Sequence, residues 1–128
     1  GLSLVGYTQD DGSGLSRENY VSPRFFTKYY QMMMKSDTFA EYLESFPQPG
    51  EDRGTLKRVL KDEPIEVKER IYAKSGSLSC VKCYAGYVIS AQGPIRFAIL
   101  VNNGSTSKMQ SQIEGFMKEL SVYAGKKK

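Results

Sequence analysis

Lys74-Ser75-Gly76-Ser77 brings together the residue types that hold an anionic ligand against a strand. The ammonium attracts a negative group and the hydroxyl donates a hydrogen bond beside it. The glycine removes the side chain that would keep a ligand backbone away from the strand edge. The tetrapeptide closes the apolar run Ile71-Tyr72-Ala73, so it falls where a strand over Ile71 to Lys74 ends. Taken alone the tripeptide is weak, because a surface lysine on any strand gives the same letters.

The other reactive residues are narrower in what they permit. The chain has no histidine, which excludes Ser-His-Asp and Cys-His catalysis within it. Cys80 and Cys83 form a Cys-x-x-Cys inside Leu78 to Val88, which reads as a strand. Residues three apart on a strand face opposite sides, and there is no second cysteine pair, so neither a shared metal nor a bridge is expected. Ser105-Thr106-Ser107-Lys108 has the spacing of a lysine-activated serine, but it opens a helical pattern and reads as a helix start. Tyr7, Tyr84 and Tyr87 offer stacking surfaces, yet aromatic residues on strands usually pack.

The elements that must position these residues follow from periodicity and punctuation. Residues 7–19, rich in Gly, Ser and Asp, are a loop. Ser22 then Pro23 is a cap followed by proline at the first helical position, and Phe26, Tyr29, Tyr30 and Met33 recur at helical spacing to about Lys35. Ser36 or Asp37 caps a shorter helix with Phe39, Leu43 and Phe46 on one face. Residues 47–54 are a turn-rich connection, 55–60 a short helical turn, and 62–69 a loop with at most one short strand. Ile71 to Lys74, Ser79 to Ala91 and Ile95 to Asn102 are rich in β-branched and aromatic residues, with Gln92-Gly93 as a hairpin connection. Thr106 or Ser107 caps a last helix whose buried stripe is Met109, Ile113, Phe116, Met117 and Leu120. The expected class is α/β of the α+β type: an antiparallel sheet of about three strands with flanking helices.

The chain has 128 residues, 40% hydrophobic and 25% charged, which suits one globular domain and argues against disorder. Its net charge of +4, from 18 basic and 14 acidic residues, owes three positives to the tail Lys126-Lys127-Lys128. Without a basic stripe elsewhere, that tail reads as a solvated end and nucleic acid is not expected as a partner. No apolar run approaches the roughly 20 residues of a membrane helix.

The motifs form an ordered set: Asp11-Gly12-Ser13-Gly14-Leu15-Ser16-Arg17-Glu18-Asn19, Val21-Ser22-Pro23, Gly54-Thr55-Leu56, Ala73-Lys74-Ser75-Gly76-Ser77-Leu78, Ala85-Gly86-Tyr87-Val88 and Phe97-Ala98-Ile99-Leu100-Val101-Asn102-Asn103. From about residue 4 to residue 120 this set resembles the class C low-molecular-mass penicillin-binding proteins, the D-alanyl-D-alanine carboxypeptidase/endopeptidase family. The resemblance implies a β-lactamase-like transpeptidase fold and an acyl-enzyme mechanism. Such enzymes carry a nucleophilic Ser-x-x-Lys, a Ser-x-Asn type element and Lys-Thr-Gly. Lys74, Ser75 and Gly76 would be the third element, with serine in place of threonine. Lys74 and Ser75 would receive the terminal carboxylate of D-Ala-D-Ala or of a β-lactam, and the N–H of Ser77 would supply half of an oxyanion hole. Ser16 would aid proton transfer to the leaving amine. Either Glu18, by strict spacing, or Asn19, the available amide, would fill the asparagine position.

The nucleophile of the family lies N-terminal to both other elements, and residues 1–15 do not offer it. The resemblance therefore implies residues 1–128 as the C-terminal portion of a serine D-Ala-D-Ala peptidase domain, inactive alone. It further implies a site outside the cytoplasm, peptidoglycan stem peptides and β-lactams as partners, and no cofactor. Self-association through an exposed sheet edge is expected as well. The alternative is a non-catalytic peptide-binding or structural α/β module.

Overall fold

The computed structural model describes residues 1–126. Lys127 and Lys128, two of the three tail lysines, lie outside the described residues. The element order is α1 (Pro23–Met33), α2 (Phe39–Glu44), α3 (Ile65–Lys68), β1 (Ile71–Leu78), β2 (Val81–Ser90), β3 (Gly93–Asn102) and α4 (Thr106–Ala124). The strands form one antiparallel sheet in the order β1-β2-β3, so the expected class holds.

The pleat sorts the side chains into two cores. Odd-numbered residues of β1 and β3 and even-numbered residues of β2 face α4. There Ile71, Ala73, Val88 and Phe97 pack with Ile113 and Met117. On the other face Ala85 and Tyr87 pack with Tyr30 of α1 and with Phe46. Fully burying a side chain such as Ile71 or Met117 stabilises the fold by about 1.5–3 kcal/mol. Tyr87 has no exposed surface, and its hydroxyl donates to the Tyr30 carbonyl at 2.9 Å, so the second core has a satisfied polar atom at its centre.

α1 begins as its sequence dictates. Ser22 Oγ accepts from the Phe25 N–H at 3.1 Å, and Pro23 takes the position where a missing N–H costs nothing. Elsewhere the structure corrects the reading. Thr38, not Ser36 or Asp37, is the N-cap of α2, and the Ser36 hydroxyl accepts from the Thr38 N–H ahead of the helix. Residues 57–60 form turns, and 62–69 contain the one-turn helix α3 after Pro64. Ser105 is the N-cap of α4. The buried stripe of α4 is Met109, Ile113, Met117, Ser121 and Ala124, whereas Phe116 is 51% exposed. Ser121 can be buried because its hydroxyl donates to the Val67 carbonyl at 2.6 Å.

Two differences concern the candidate site. β1 runs four residues beyond Lys74, so the whole Lys-Ser-Gly-Ser stretch is strand, paired from Lys74↔Ala85 to Leu78↔Val81. Ladder pairing here overrides the low strand preference of glycine and serine. The following turn is Ser79-Cys80, with Cys80 in the left-handed region (φ 63) and its carbonyl accepting from the Asn103 N–H at 2.7 Å. Cys80 is thus a turn residue rather than a strand residue, and both cysteines are free thiols.

Candidate functional site

The direction of each backbone group on β1 follows from two contacts. The two-residue turn closes on the pair Leu78↔Val81, which turns the polar groups of Leu78, Gly76 and Lys74 toward β2. Independently, the Ala73 N–H donates to the Pro47 carbonyl at 3.0 Å, on the side away from β2. Alternation then sends the N–H and C=O of Ser75 and Ser77 to the outer edge of the sheet. The edge is occupied at Ala73 by Pro47, and beyond it the Thr55 hydroxyl lies 2.5 Å from the Ser75 hydroxyl. The Ser77 N–H has no protein partner among the described residues.

Side chains are placed by the same alternation. Lys74 is exposed on the α1 side of the sheet, and its ammonium reaches back to the edge and donates to the Ser75 carbonyl at 2.8 Å. Ser75 lies on the α4 side, opposite Tyr84, and Gly76 opposite Cys83. A Cβ added to Gly76 would meet only the Cys83 Cβ, at 3.7 Å, an ordinary contact. The fold therefore does not require glycine at position 76. Gly86, by contrast, would place a Cβ 2.0 Å from the Tyr72 carbonyl oxygen, so glycine there is what lets β1 and β2 approach.

Ser16 and Asn19 lie in the loop between Thr8 and Tyr20 and bond within it. The loop between Thr8 and Tyr20, which pair as a bridge, folds around Asp11. Asp11 accepts from Asn19 Nδ2 (2.7 Å), the Ser13 hydroxyl (2.7 Å) and the N–H groups of Gly14, Leu15 and Ser16. These bonds, led by Asn19 and Ser13, lower its pKa to about 2. Asn19 spends its whole amide inside the loop: Oδ1 accepts from the Asp10 and Asp11 N–H groups, and Nδ2 also donates to the Ser16 carbonyl. The Ser16 hydroxyl accepts from the Glu18 N–H at 3.1 Å. Among the described residues, neither Ser16, Glu18 nor Asn19 bonds to Lys74, Ser75 or Ser77. The structure brings Lys74, Ser75, Gly76 and Ser77 together on one edge and makes Asn19 a clasp for its own loop. The loop reaches the sheet through Arg17, whose Nη2 donates to the Ser79 carbonyl at 3.3 Å, at the Ser77 end of the edge.

Two Ser-x-x-Lys spacings remain, and one of them, Ser79-Cys80-Val81-Lys82, was missed by sequence reasoning. It spans the β1–β2 turn, so its residues do not share a helix face, and Lys82 points to the α4 side. Ser105 lines a cleft of about 710 Å³ together with Lys82 and Tyr84, also on the α4 side and opposite the Lys74 face. Among the described residues no hydrogen bond joins Ser79 to Lys82 or Ser105 to Lys108. Cys83 lies on the Lys74 face, half-buried, with its thiol pKa pushed up by burial.

Comparison with known proteins adds to this geometry. Residues 1–121 match the family model described as the D-Ala-D-Ala carboxypeptidase 3 (S13) family. The D-alanyl-D-alanine carboxypeptidase DacB of Haemophilus influenzae is 34% identical over 103 residues, which are 80% of this chain and 21% of that protein. A D-alanyl-D-alanine carboxypeptidase from an Actinomadura species is 29% identical over 130 residues, 98% of this chain and 24% of that protein. Penicillin binding protein 4 (dacB) from H. influenzae, in a crystal structure complexed with a novel beta-lactam, superposes with a TM-score of 0.76 at 28% identity. The overlap covers 96% of this chain and 29% of that one. The chain thus spans about a fifth to a quarter of the length of the curated relatives it matches.

Proposed function

The chain belongs to the D-Ala-D-Ala carboxypeptidase 3 (S13) family, and from that premise we propose that β1 is the carboxylate-recognition edge of a serine-type D-alanyl-D-alanine carboxypeptidase/endopeptidase. The observation that carries this reading is the combination of a Ser77 N–H with no partner among the described residues and a Gly76 that the fold itself does not demand. A peptide ending in D-Ala-D-Ala lies along the outer edge of β1 as an added strand. Its terminal carboxylate is held by the Lys74 ammonium and the Ser75 hydroxyl, a charge-assisted pair of donors. To reach it, Lys74 leaves the Ser75 carbonyl that it engages in the free chain. Gly76 gives the peptide close passage, and the Ser77 N–H donates to the scissile carbonyl as negative charge develops there.

The acyl-enzyme step itself needs a serine that neither Ser79 nor Ser105 supplies in this geometry. We place that nucleophile outside residues 1–128, in the remainder of a peptidase domain of which this chain is the C-terminal portion. The substrate class is the stem peptide of peptidoglycan, with β-lactams as carboxylate-bearing mimics, and the site of action is extracytoplasmic. No cofactor enters the reaction. The outer edges of β1 beyond Ser75 and of β3 also give the isolated chain a surface for self-association, which sedimentation over a wide concentration range reads out; a monomer at every concentration removes that point.

The recognition reading is tested by following backbone amide signals while N-acetyl-D-alanyl-D-alanine is added. Shifts should centre on Ser75 to Ser77 and should weaken when the C-terminal carboxylate is replaced by an amide or when Lys74→Ala is introduced. Equal response to acid and amide would remove the carboxylate role. A peptide response coupled to intact recognition but never to acylation in any longer protein containing this chain would favour the non-catalytic binding module.

A further inference from the structure

We propose that Thr55 is a positioning residue for Ser75, fixing the direction in which the Ser75 hydroxyl presents its proton to the ligand carboxylate. The inference rests on the reading of β1 as a carboxylate edge and adds a residue to it. A serine hydroxyl has one proton and two acceptor sites, and without a partner it rotates. The Thr55 hydroxyl, 2.5 Å away, is the side-chain partner of the Ser75 hydroxyl, since Lys74 is directed to the Ser75 carbonyl instead. When Thr55 donates to Ser75, one acceptor site of Ser75 is filled and its own proton is left for a ligand.

Thr55 is held in place from both sides. Gly54 adopts φ +83, and a Cβ there would lie 2.8–2.9 Å from the Pro47 ring, so the chain turns tightly under Thr55. Leu56 is fully buried, and its carbonyl accepts from the Gly50 N–H at 3.1 Å. Pro47, at the start of this strap, bonds the edge at Ala73, two residues before Ser75. Branching at Cβ further restricts the Thr55 rotamer. The residue is itself exposed, so burial of its methyl group does not account for its placement, whereas a fixed hydroxyl beside a ligand edge does.

The test measures affinity for N-acetyl-D-alanyl-D-alanine and for its C-terminal amide from amide-signal titrations of the chain. Thr55→Val, nearly isosteric, is expected to bind the acid about five-fold more weakly, the loss of one hydrogen bond, with the amide unchanged. Thr55→Ser should restore the acid, and in a Ser75→Ala background Thr55→Val should add nothing. Thr55→Ala reads the same way should the valine disturb the strap spectrum. Unchanged acid affinity in Thr55→Val, equal losses for acid and amide, or a further loss on top of Ser75→Ala would each overturn the inference. An unsubstituted chain that does not prefer the acid overturns the carboxylate reading first, and this inference with it.

Discussion

Gly76→Ala separates a ligand-driven glycine from a fold-driven one. In the structure the added methyl meets the Cys83 Cβ at 3.7 Å, and the Gly76 φ is not positive. Alanine therefore fits, and by restricting the unfolded chain it changes stability by about 0 to +1 kcal/mol. Gly86→Ala, ten residues on, is the control. Its methyl would lie 2.0 Å from the Tyr72 carbonyl oxygen and 2.8 Å from the Ala73 Cα, both backbone atoms. The strands must part by more than 1 Å to admit it. Overpacking of this kind costs about 3 kcal/mol or more, a fall in Tm on the order of 10 °C for a chain of this size. The ligand side reverses the order of severity that stability sets. The Gly76 methyl stands on the Lys74 face of the edge along which we propose that the peptide lies, so affinity for N-acetyl-D-alanyl-D-alanine should drop about ten-fold, or 1.4 kcal/mol. Thermal unfolding and peptide titration on the same sample measure both. A Gly76→Ala chain that binds normally would refute passage of the ligand over this position. One that unfolds like Gly86→Ala would show that the fold, not the ligand, selects the glycine.

Other expectations address the parts that hold the edge in place. Tyr87→Phe removes the donor to the Tyr30 carbonyl at the centre of the aromatic core, so chemical denaturation should show a loss of about 1–2 kcal/mol with unchanged m. The phenol of Tyr42 is pushed up to about 12 by burial, and burial raises Tyr30 and Tyr87 further. Their neutral forms are favoured in the fold, so the stability they contribute is full below the ordinary tyrosine pKa near 10 and is lost as pH rises beyond it. An alkaline transition is expected in which ionisation of Tyr30, Tyr42 and Tyr87 coincides with loss of aromatic dichroism; ionisation of these three near pH 10 in a still-folded chain would contradict it. Asp11 runs the other way. Its lowered pKa supports the 8–20 loop above pH 3.8, and that support fades as pH falls toward 2. Amide signals of Gly14 to Ser16 should shift in that window and not above pH 5, and Asp11→Asn should abolish the shift.

Much of the fold was legible because local chemistry and global packing agree. Ser22-Pro23 fixed the start of α1, and β-branched runs marked the cores of β2 and β3. The misses have physical causes. Local propensity ends β1 at Lys74, because Gly76 and the serines are poor strand formers, but register with β2 carries them into the strand. α3 is a single turn after Pro64, too short for any periodic signal. In α4 helical periodicity favours the apolar Phe116 for the buried stripe, whereas Ser121 is buried because its hydroxyl reaches a carbonyl from residue 67 that no local pattern reveals. At the site, Lys74 to Ser77 form one contiguous edge, as a contiguous motif must. Asn19 could not be judged from sequence, because an asparagine that serves catalysis and one that closes a loop look the same until Asp11 is seen beneath it. The Thr55–Ser75 contact spans 20 residues and was invisible for the same reason.

The central claim is that this chain holds the recognition edge of an acyl-enzyme peptidase without its acylating serine. The intact mass of the folded chain after incubation with excess benzylpenicillin tests it most directly. An unmodified mass is expected. A single stoichiometric adduct, lost in Ser79→Ala or in Ser105→Ala, would contradict it and make one of those serines the nucleophile.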